Sequence, residues 1–109
     1  MTAKEAGGTT KSPAPRFSVV VPAYNEEKDL PRLIDTIDAA TASYGRPGAV
    51  EVVVADNLST DGTAAVAAAR GCRVVRVEKR VIAAARNGGA RAATGEILCF
   101  VDADARIHA

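Results

Sequence analysis

The sequence is short of several residue types that would mark a particular class of protein. Its 109 residues include no tryptophan, one methionine, one histidine and two cysteines. Two cysteines make no disulfide framework, and their spacing matches no zinc site, so we expect Cys72 and Cys99 to be reduced, buried side chains. The formal net charge is only +1, which argues against a nucleic-acid-binding surface.

Two kinds of apolar segment are also missing from this sequence. No apolar run approaches the ~18–20 residues that cross a bilayer, and the N-terminal stretch "MTAKEAGGTTKSPAPR" has no apolar segment typical of a secretory signal. We therefore expect no membrane segment in this chain and a cytoplasmic location. The glycine-rich motifs of dinucleotide-binding and P-loop proteins, G-x-G-x-x-G and G-x-x-x-x-G-K-[ST], are absent as well.

The remaining sequence alternates short β-branched runs with helical patterns. Residues 1–15 are rich in Gly, Thr, Ser, Pro and Lys and are expected to form a disordered tail, which leaves 16–109 as one domain. The predicted strands are 17–22, 50–56, 72–78 and 96–102. The predicted helices are 29–44, 60–70 and 82–94. Strict alternation predicts an α/β fold of three layers, α/β/α, with a mostly parallel sheet and right-handed crossovers.

Several residues predict where the helices begin and end. Asp29 is placed to cap the first helix, and Ser59 or Thr60 the second. Gly45 and Gly71 are placed to end these helices. The strand 72–78 has more polar residues than the other three and is predicted to lie at an edge of the sheet.

Polar residues gather where three predicted strands end. The first strand ends in "PAYNEE", the second in "DNLSTDGT" and the fourth in "DADAR". Parallel strands share one direction, so these segments lie at one edge of the sheet, where open α/β sheets bind ligands. With the strand order 3-2-1-4, Tyr24, Asn25 and Glu26 would lie near Asp102 and Asp104.

Asp102 and Asp104 are spaced to project to the same side of an extended chain. Two carboxylates that share a small space repel unless a cation lies between them. An oxygen-only site with few protein ligands suits Mg²⁺ or Mn²⁺, which also bind substrate phosphates. The alternative is a solvated, aspartate-rich turn, and the spacing alone does not decide between the two.

Three further features allow two interpretations each. Arg86 could neutralise a ligand's phosphate or be a solvated surface arginine. Gly88 and Gly89 lie together in the third helix, either because the helix packs closely on the sheet or because a ligand approaches there. The segment "DGT" at 61–63 could contact a ligand or form the turn that starts a helix.

In this order the motifs resemble the N-terminal half of family 2 glycosyltransferases with the GT-A fold. The resemblance rests on "FSVVVPAYNEEKDLPRLIDTI", "EVVVADNLSTDGTAAVA" and "AAARNGGARAATGEILCFVDADARI". It implies a Rossmann-like sheet of the nucleotide-diphospho-sugar transferase type, here truncated after the fourth strand. Many relatives read "DDGSTDGT", whereas Asn57 and Leu58 stand here in place of the second acid and the glycine.

The resemblance also implies a role for each site residue. Asp56 would contact the nucleoside base, and Arg86 the base or the diphosphate. Asp102 would lie by the ribose, and Asp104 would bind the metal, with Asp102 beside it. The loop that would cup the base comprises Pro22, Ala23, Tyr24, Asn25 and Glu26.

The resemblance predicts metal-assisted transfer of a sugar, expected to be a hexosyl group, from a UDP- or GDP-sugar to an unidentified acceptor. The family's general base follows the D-x-D strand, and no residue here matches it, so this chain is expected to carry the donor-binding half. The alternatives are a nucleotide-binding module without turnover and an inactive fragment. A nucleotidyltransferase is a weaker alternative, because "PAYNEE" is not a glycine-rich basic loop. The apolar strand at 97–101 is also expected to be an exposed edge that promotes self-association.

Overall fold

Strands and helices alternate along the whole described part of the chain, as the sequence predicts. A computed structural model describes residues 15–78 and 82–103. The elements are β1 (Phe17–Ala23), α1 (Leu30–Tyr44), β2 (Val50–Asp56), α2 (Thr63–Ala69), β3 (Arg73–Arg76), α3 (Ile82–Ala92) and β4 (Ile97–Phe100). The predicted tail, apart from Pro15, lies outside the described residues, and so do Asp104 and His108.

The four strands form one parallel sheet with the order β3-β2-β1-β4. The two longest strands, β1 and β2, are paired from Phe17–Val50 to Ala23–Asp56. On the other side of β1, β4 is paired from Phe17–Ile97 to Val20–Phe100. The strand order therefore reverses between β1 and β4, as the predicted order requires, and β3 lies at an edge.

Helices cover both faces of the sheet, so the predicted three-layer arrangement is confirmed. On one face, Val19, Val21 and Val54 belong to the apolar core that contains α1 residues such as Leu33 and Ile34. Ala67 of α2 is part of the same core. Neighbouring strand residues point to opposite faces, and accordingly Val20 and Ala55 meet α3 on the other face.

Gly88 and Gly89 allow α3 to pack directly on the sheet. A β carbon at Gly89 would lie 2.3 Å from Cγ1 of Val20, and one at Gly88 would lie 2.8 Å from Cγ2 of Val77. Both distances are well below van der Waals contact, so a larger residue would push the helix outward. Close packing of the helix on the sheet therefore accounts for the glycine pair.

The helix ends differ in part from the sequence prediction. Asp29 does occupy the N-cap position of α1, although its side chain makes no capping hydrogen bond, and Gly45 ends the helix at φ = 80°. The prediction for α2 is wrong, because α2 begins at Thr63 and Gly62 takes the N-cap position. Within residues 15–78 and 82–103, no helix is long and apolar enough to cross a bilayer.

A polar network joins the α3–β4 connection to the amino ends of β1 and β2. The fully buried hydroxyl of Ser18 donates to Oε2 of Glu51 (2.5 Å) and accepts the Gly95 N–H (2.8 Å). The Thr94 N–H donates to the same Glu51 oxygen (2.5 Å). Partial burial raises the pKa of Glu51, but the hydrogen bonds from Ser18 and Thr94 and the charge of Arg73 outweigh it, so the pKa is lowered.

β4 presents apolar side chains to solvent, as predicted for an edge strand. Ile97, Leu98 and Phe100 are each about two-fifths exposed, at 39%, 43% and 43%. Self-association through this strand stays a prediction. Cys72 and Cys99 are free thiols and half-buried, so they are less enclosed than predicted. Burial is the main reason that the pKa of the Cys72 thiol is raised.

Candidate functional site

The carboxyl ends of β1, β2 and β4 lie side by side. Ala23 at the end of β1 is paired with Asp56 at the end of β2. On the other side, the Val101 N–H donates to the carbonyl of Val20 (3.0 Å), and Asp102 is the next residue. The two acids that the sequence analysis selected, Asp56 and Asp102, therefore lie at the same edge of the sheet, on either side of β1.

Asp56 is held firmly at this edge. It is only 6% exposed, and its Oδ1 accepts the backbone N–H of Ser59 (3.2 Å). Its own carbonyl accepts the Val77 N–H (2.9 Å), which joins the end of β2 to the chain that follows β3. A carboxylate oriented in this way can accept hydrogen bonds from a ligand above the sheet edge.

Asn57 links the ends of three strands. It is 7% exposed, its backbone N–H donates to the Ala23 carbonyl (2.8 Å), and its Nδ2 donates to the Val77 carbonyl (3.2 Å). An ionised acid at this position could not donate that second bond. The asparagine that replaces the second acid of "DDGSTDGT" therefore has a structural role here. Leu58, at the position of the glycine, has a left-handed φ of 63°.

The β1–α1 loop, residues 24–29, lies against the β2–α2 loop, residues 57–62, through hydrogen bonds of Asn25. Oδ1 of Asn25 accepts the backbone N–H groups of Thr60 (2.8 Å) and Asp61 (3.3 Å). Its backbone N–H donates to Oγ of Ser59 (2.9 Å). The next residue, Glu26, donates its N–H to Oγ1 of Thr63 (2.9 Å). The two loops therefore form one connected surface beside Asp56.

Glu27 and Asp61 complete this connection. Oε1 of Glu27 accepts the Gly62 N–H (2.8 Å), and the Glu27 N–H donates to Oδ2 of Asp61 (3.3 Å). Oδ1 of Asp61 accepts both the hydroxyl and the N–H of Thr63. The hydroxyl bond is the main reason that the pKa of Asp61 is lowered. The segment "DGT" is therefore the turn that starts α2.

Arg86 brings a positive charge to the same edge. It lies in α3, and its guanidinium carbon is 5.3 Å from the centroid of the Phe100 ring. A guanidinium at this distance over an aromatic face is attracted to it by about 0.5–1 kcal/mol at an exposed site. Phe100 ends β4 two residues before Asp102. The contact with Phe100 therefore holds Arg86 close to the end of β4.

The remaining predicted residues divide between the core and the surface. The side chain of Ala23 belongs to the core, so this residue contributes to the edge through its carbonyl. Tyr24 is exposed, and Pro22 lies in β1. Asp102 is exposed, whereas Ala103 is buried in the core and anchors the chain directly after β4. Asp104, the predicted metal ligand, lies outside the described residues.

The donor set fits a hard divalent cation only in part. Asp102 offers an exposed carboxylate, and carboxylate oxygens are the ligands that Mg²⁺ and Mn²⁺ prefer. In the described ranges there is no group of three or more His, Cys, Asp or Glu side chains that could hold a metal ion. Such a site therefore needs further oxygens, which water and a substrate diphosphate supply in sites of this kind.

Sequence reasoning places Glu27, Ser59 and Thr63 in segments at this edge of the sheet, but it does not predict their hydrogen bonds between the two loops. Their partners lie about 34 to 37 positions away in the chain, so no local pattern shows the contacts. The available signal was the composition of the two loops, because Asn, Asp, Ser and Thr side chains after strands commonly bond to backbone N–H groups.

Comparison with known proteins identifies the family. The sequence model described as Glycosyl transferase family 2 matches residues 18–109. The chain therefore belongs to glycosyltransferase family 2, and its fold is that of the GT-A glycosyltransferases. It is 37% identical over 92 residues to an uncharacterised glycosyltransferase of Mycobacterium tuberculosis, covering 84% of this chain and 38% of the relative.

Two solved structures are similar over most of the chain. Staphylococcus aureus TarS 1–349 has a TM-score of 0.71 and 33% identity, over 82% of this chain and 27% of that one. Glucosyl-3-phosphoglycerate synthase from Mycobacterium tuberculosis, in complex with Mn²⁺, UDP and glucosyl-3-phosphoglycerate, has a TM-score of 0.67 and 33% identity. That match covers 82% of this chain and 33% of the synthase. The chain spans about a third of the length of the curated relatives it matches.

Proposed function

We propose that this chain carries the donor-binding half of a glycosyltransferase and binds a nucleotide-diphosphate sugar at the carboxyl edge of its sheet. One observation carries the proposal: Asp56 ends β2, Asp102 follows β4, and Arg86 of α3 contacts the ring of Phe100 at the end of β4, on both sides of the point where the strand order reverses. Open α/β sheets bind ligands at this point. The donor is a UDP- or GDP-sugar, and the transferred group is a hexosyl residue.

Each element has a distinct part in binding the nucleotide. The segment from Pro22 to Glu26 forms the wall beside the base, and the oriented carboxylate of Asp56 accepts a hydrogen bond from the base. Arg86 supplies positive charge toward the diphosphate from the side of β4. The synthase solved with UDP and Mn²⁺ supports this arrangement, because the similarity covers 82% of the present chain.

Asp102 and Asp104 are the residues that would hold a divalent cation, Mn²⁺ or Mg²⁺. When bound, such a cation neutralises charge on the departing nucleotide diphosphate. Asp102 directs an exposed carboxylate to the edge, and the buried Ala103 fixes the backbone directly after it. The chain's own contribution to transfer is therefore to orient the donor and to balance its charge. The acceptor hydroxyl must also lose a proton to a base, and no residue of this chain is assigned that role.

Calorimetric titration with UDP and GDP, each with and without Mn²⁺, tests the proposal. We expect one nucleotide to bind more tightly with Mn²⁺. Asp102→Asn and Asp104→Ala should each remove that enhancement, because each removes a carboxylate that would hold the cation. The matched control is Glu96→Gln, which changes an exposed acid at the amino end of β4, paired only loosely with Arg16 at 3.5 Å. This variant should bind as the unaltered chain does.

Two results would contradict the proposal: no binding of either nucleotide, or an affinity that is unchanged by Mn²⁺ and by both aspartate substitutions. Release of UDP or GDP from the nucleotide sugar, measured with and without a panel of acceptors, then reports turnover separately. Binding without release would assign the chain a binding role alone.

A further inference from the structure

We propose that Asn25 and Glu27 are positioning residues, which order the nucleotide-binding edge before the donor arrives. This inference rests on the proposed function. The ordering itself comes from hydrogen bonds within the chain. Both side chains point their oxygens at backbone N–H groups of the β2–α2 loop. They act on the donor through that loop.

Asn25 bonds to the middle of the β2–α2 loop, next to the residue that bonds to Asp56. The Asn25 N–H donates to Oγ of Ser59 (2.9 Å), and the N–H of the same serine donates to Oδ1 of Asp56 (3.2 Å). Oδ1 of Asn25 also binds the N–H of Thr60 (2.8 Å). Asn25 has φ = 53°, a left-handed conformation that asparagine tolerates better than most residues. The Asn25 backbone is thus linked through Ser59 to the carboxylate that we assign to the base, and its side-chain oxygen holds the neighbouring Thr60.

Glu27 bonds to the end of the same loop. Its Oε1 accepts the Gly62 N–H at 2.8 Å, a charge-assisted hydrogen bond to the residue that caps α2. The approach is close, because a β carbon on Gly62 would lie 3.2 Å from this oxygen. The Glu27 N–H in turn donates to Asp61 (3.3 Å). The β1–α1 loop therefore holds the β2–α2 loop from Ser59 to Gly62.

Holding the loop in advance has an energetic consequence for binding. A loop that must be ordered when its ligand arrives costs conformational entropy, and this cost weakens the affinity. One net hydrogen bond contributes about 0.5–1.5 kcal/mol, and bonds to charged groups more. Loss of either side-chain oxygen, each of which bonds to backbone N–H groups of the β2–α2 loop, should therefore lower nucleotide affinity about 2- to 13-fold.

The test compares Glu27→Ala, which removes the oxygen, with Glu27→Gln, which keeps an acceptor oxygen at the same place. Asn25→Gly provides a second site, because glycine retains the left-handed conformation and removes the oxygen. Amide hydrogen exchange of Thr60 and Gly62 is measured without nucleotide. Affinity for UDP or GDP with Mn²⁺ is then measured by calorimetry, with Glu96→Ala as the control acid at the opposite edge.

We expect Glu27→Ala to accelerate exchange at Gly62 and to weaken nucleotide binding, and Glu27→Gln to restore both. Asn25→Gly should accelerate exchange at Thr60 and also weaken binding. The inference is overturned if Glu27→Ala accelerates exchange but leaves affinity unchanged, or if Glu27→Gln behaves like Glu27→Ala. If the unaltered chain binds neither nucleotide, the proposed function and this inference both fail. In the two outcomes that overturn only the inference, the unaltered chain does bind a nucleotide.

Discussion

Replacing Gly89 by alanine should destabilise the protein, although the same change in a free helix stabilises it. Alanine is favoured over glycine inside a helix by about 1 kcal/mol. At Gly89, however, the added β carbon would lie 2.3 Å from Cγ1 of Val20, roughly 1.2 Å short of favourable carbon–carbon contact. Val20 is fully buried and has a short, stiff side chain, so it cannot rotate out of the way.

The expected change in the free energy of unfolding is the difference between the gain in helix propensity and the cost of the clash with Val20. Overpacking a well-packed core costs about 1–3 kcal/mol, and a contact this short belongs at the upper end of that range. Subtracting the helix-propensity gain leaves a net loss of about 1–2 kcal/mol in the free energy of unfolding. Asn87→Ala, at an exposed position two residues earlier in α3, should instead raise stability by roughly half a kcal/mol.

A double-mutant cycle with Val20→Ala isolates the cause. Without Cγ1 of Val20, the nearest atoms to the new methyl group are Cβ of Ala55 at 3.5 Å and Cβ of residue 20 at 3.6 Å, both ordinary contacts. In the Val20→Ala background, Gly89→Ala should therefore stabilise the protein by about 1 kcal/mol. Urea unfolding of all four proteins gives the coupling energy. Stabilisation by Gly89→Ala in the presence of Val20 would refute the claim that the glycine serves close packing.

Two further predictions concern stability. Glu51→Gln should cost about 1 kcal/mol at pH 7, because three donor groups lose a charged acceptor. Because folding lowers the pKa of Glu51, its charge stabilises the protein above about pH 4.3 and this contribution is lost as the pH falls. The difference between the two proteins in urea unfolding should therefore be present at pH 7 and shrink as the pH falls below about 4.3, and a difference that does not depend on pH would contradict the assignment. At Leu58, whose φ is 63°, Leu58→Gly should be more stable than Leu58→Ala by about 0.5–1 kcal/mol, because only glycine removes the strain. Thermal unfolding that ranks alanine above glycine would show that the position is not strained.

The fold could be predicted from the sequence because its signals are local. Near-continuous apolar runs predict the strands β1 and β2, and the spacing of apolar residues predicts the helix α1. The alternation of strands and helices then predicts a parallel sheet. The strand order 3-2-1-4 is an assumption taken from doubly wound sheets; the structure has this order, and it gives Asp56 and Asp102 a common edge. The resemblance to family 2 glycosyltransferases adds a predicted role in donor binding for these two acids.

The loop contacts could not be predicted because they depend on tertiary structure. Nothing near Asn25 in sequence shows that its oxygen binds Thr60, 35 positions later, or that Asn57 binds the Val77 carbonyl, 20 positions later. The start of α2 was misplaced for the same reason. Ser59 and Thr60 are good capping residues in isolation, but in the folded chain the Ser59 hydroxyl accepts the Asn25 N–H and the Thr60 hydroxyl donates to Oδ1 of Asn25.

The most direct test of the central claim is paramagnetic broadening of amide NMR signals by Mn²⁺ in the presence of UDP or GDP. A bound Mn²⁺ broadens the signals of the nearest residues. The account predicts that the amides of Asp56, Arg86 and Asp102 broaden together, and that those of Thr94 and Glu96, at the amino end of β4, stay sharp. Broadening centred on the amino end of the sheet, or spread evenly over the chain, would contradict the assignment of the carboxyl edge as the donor site.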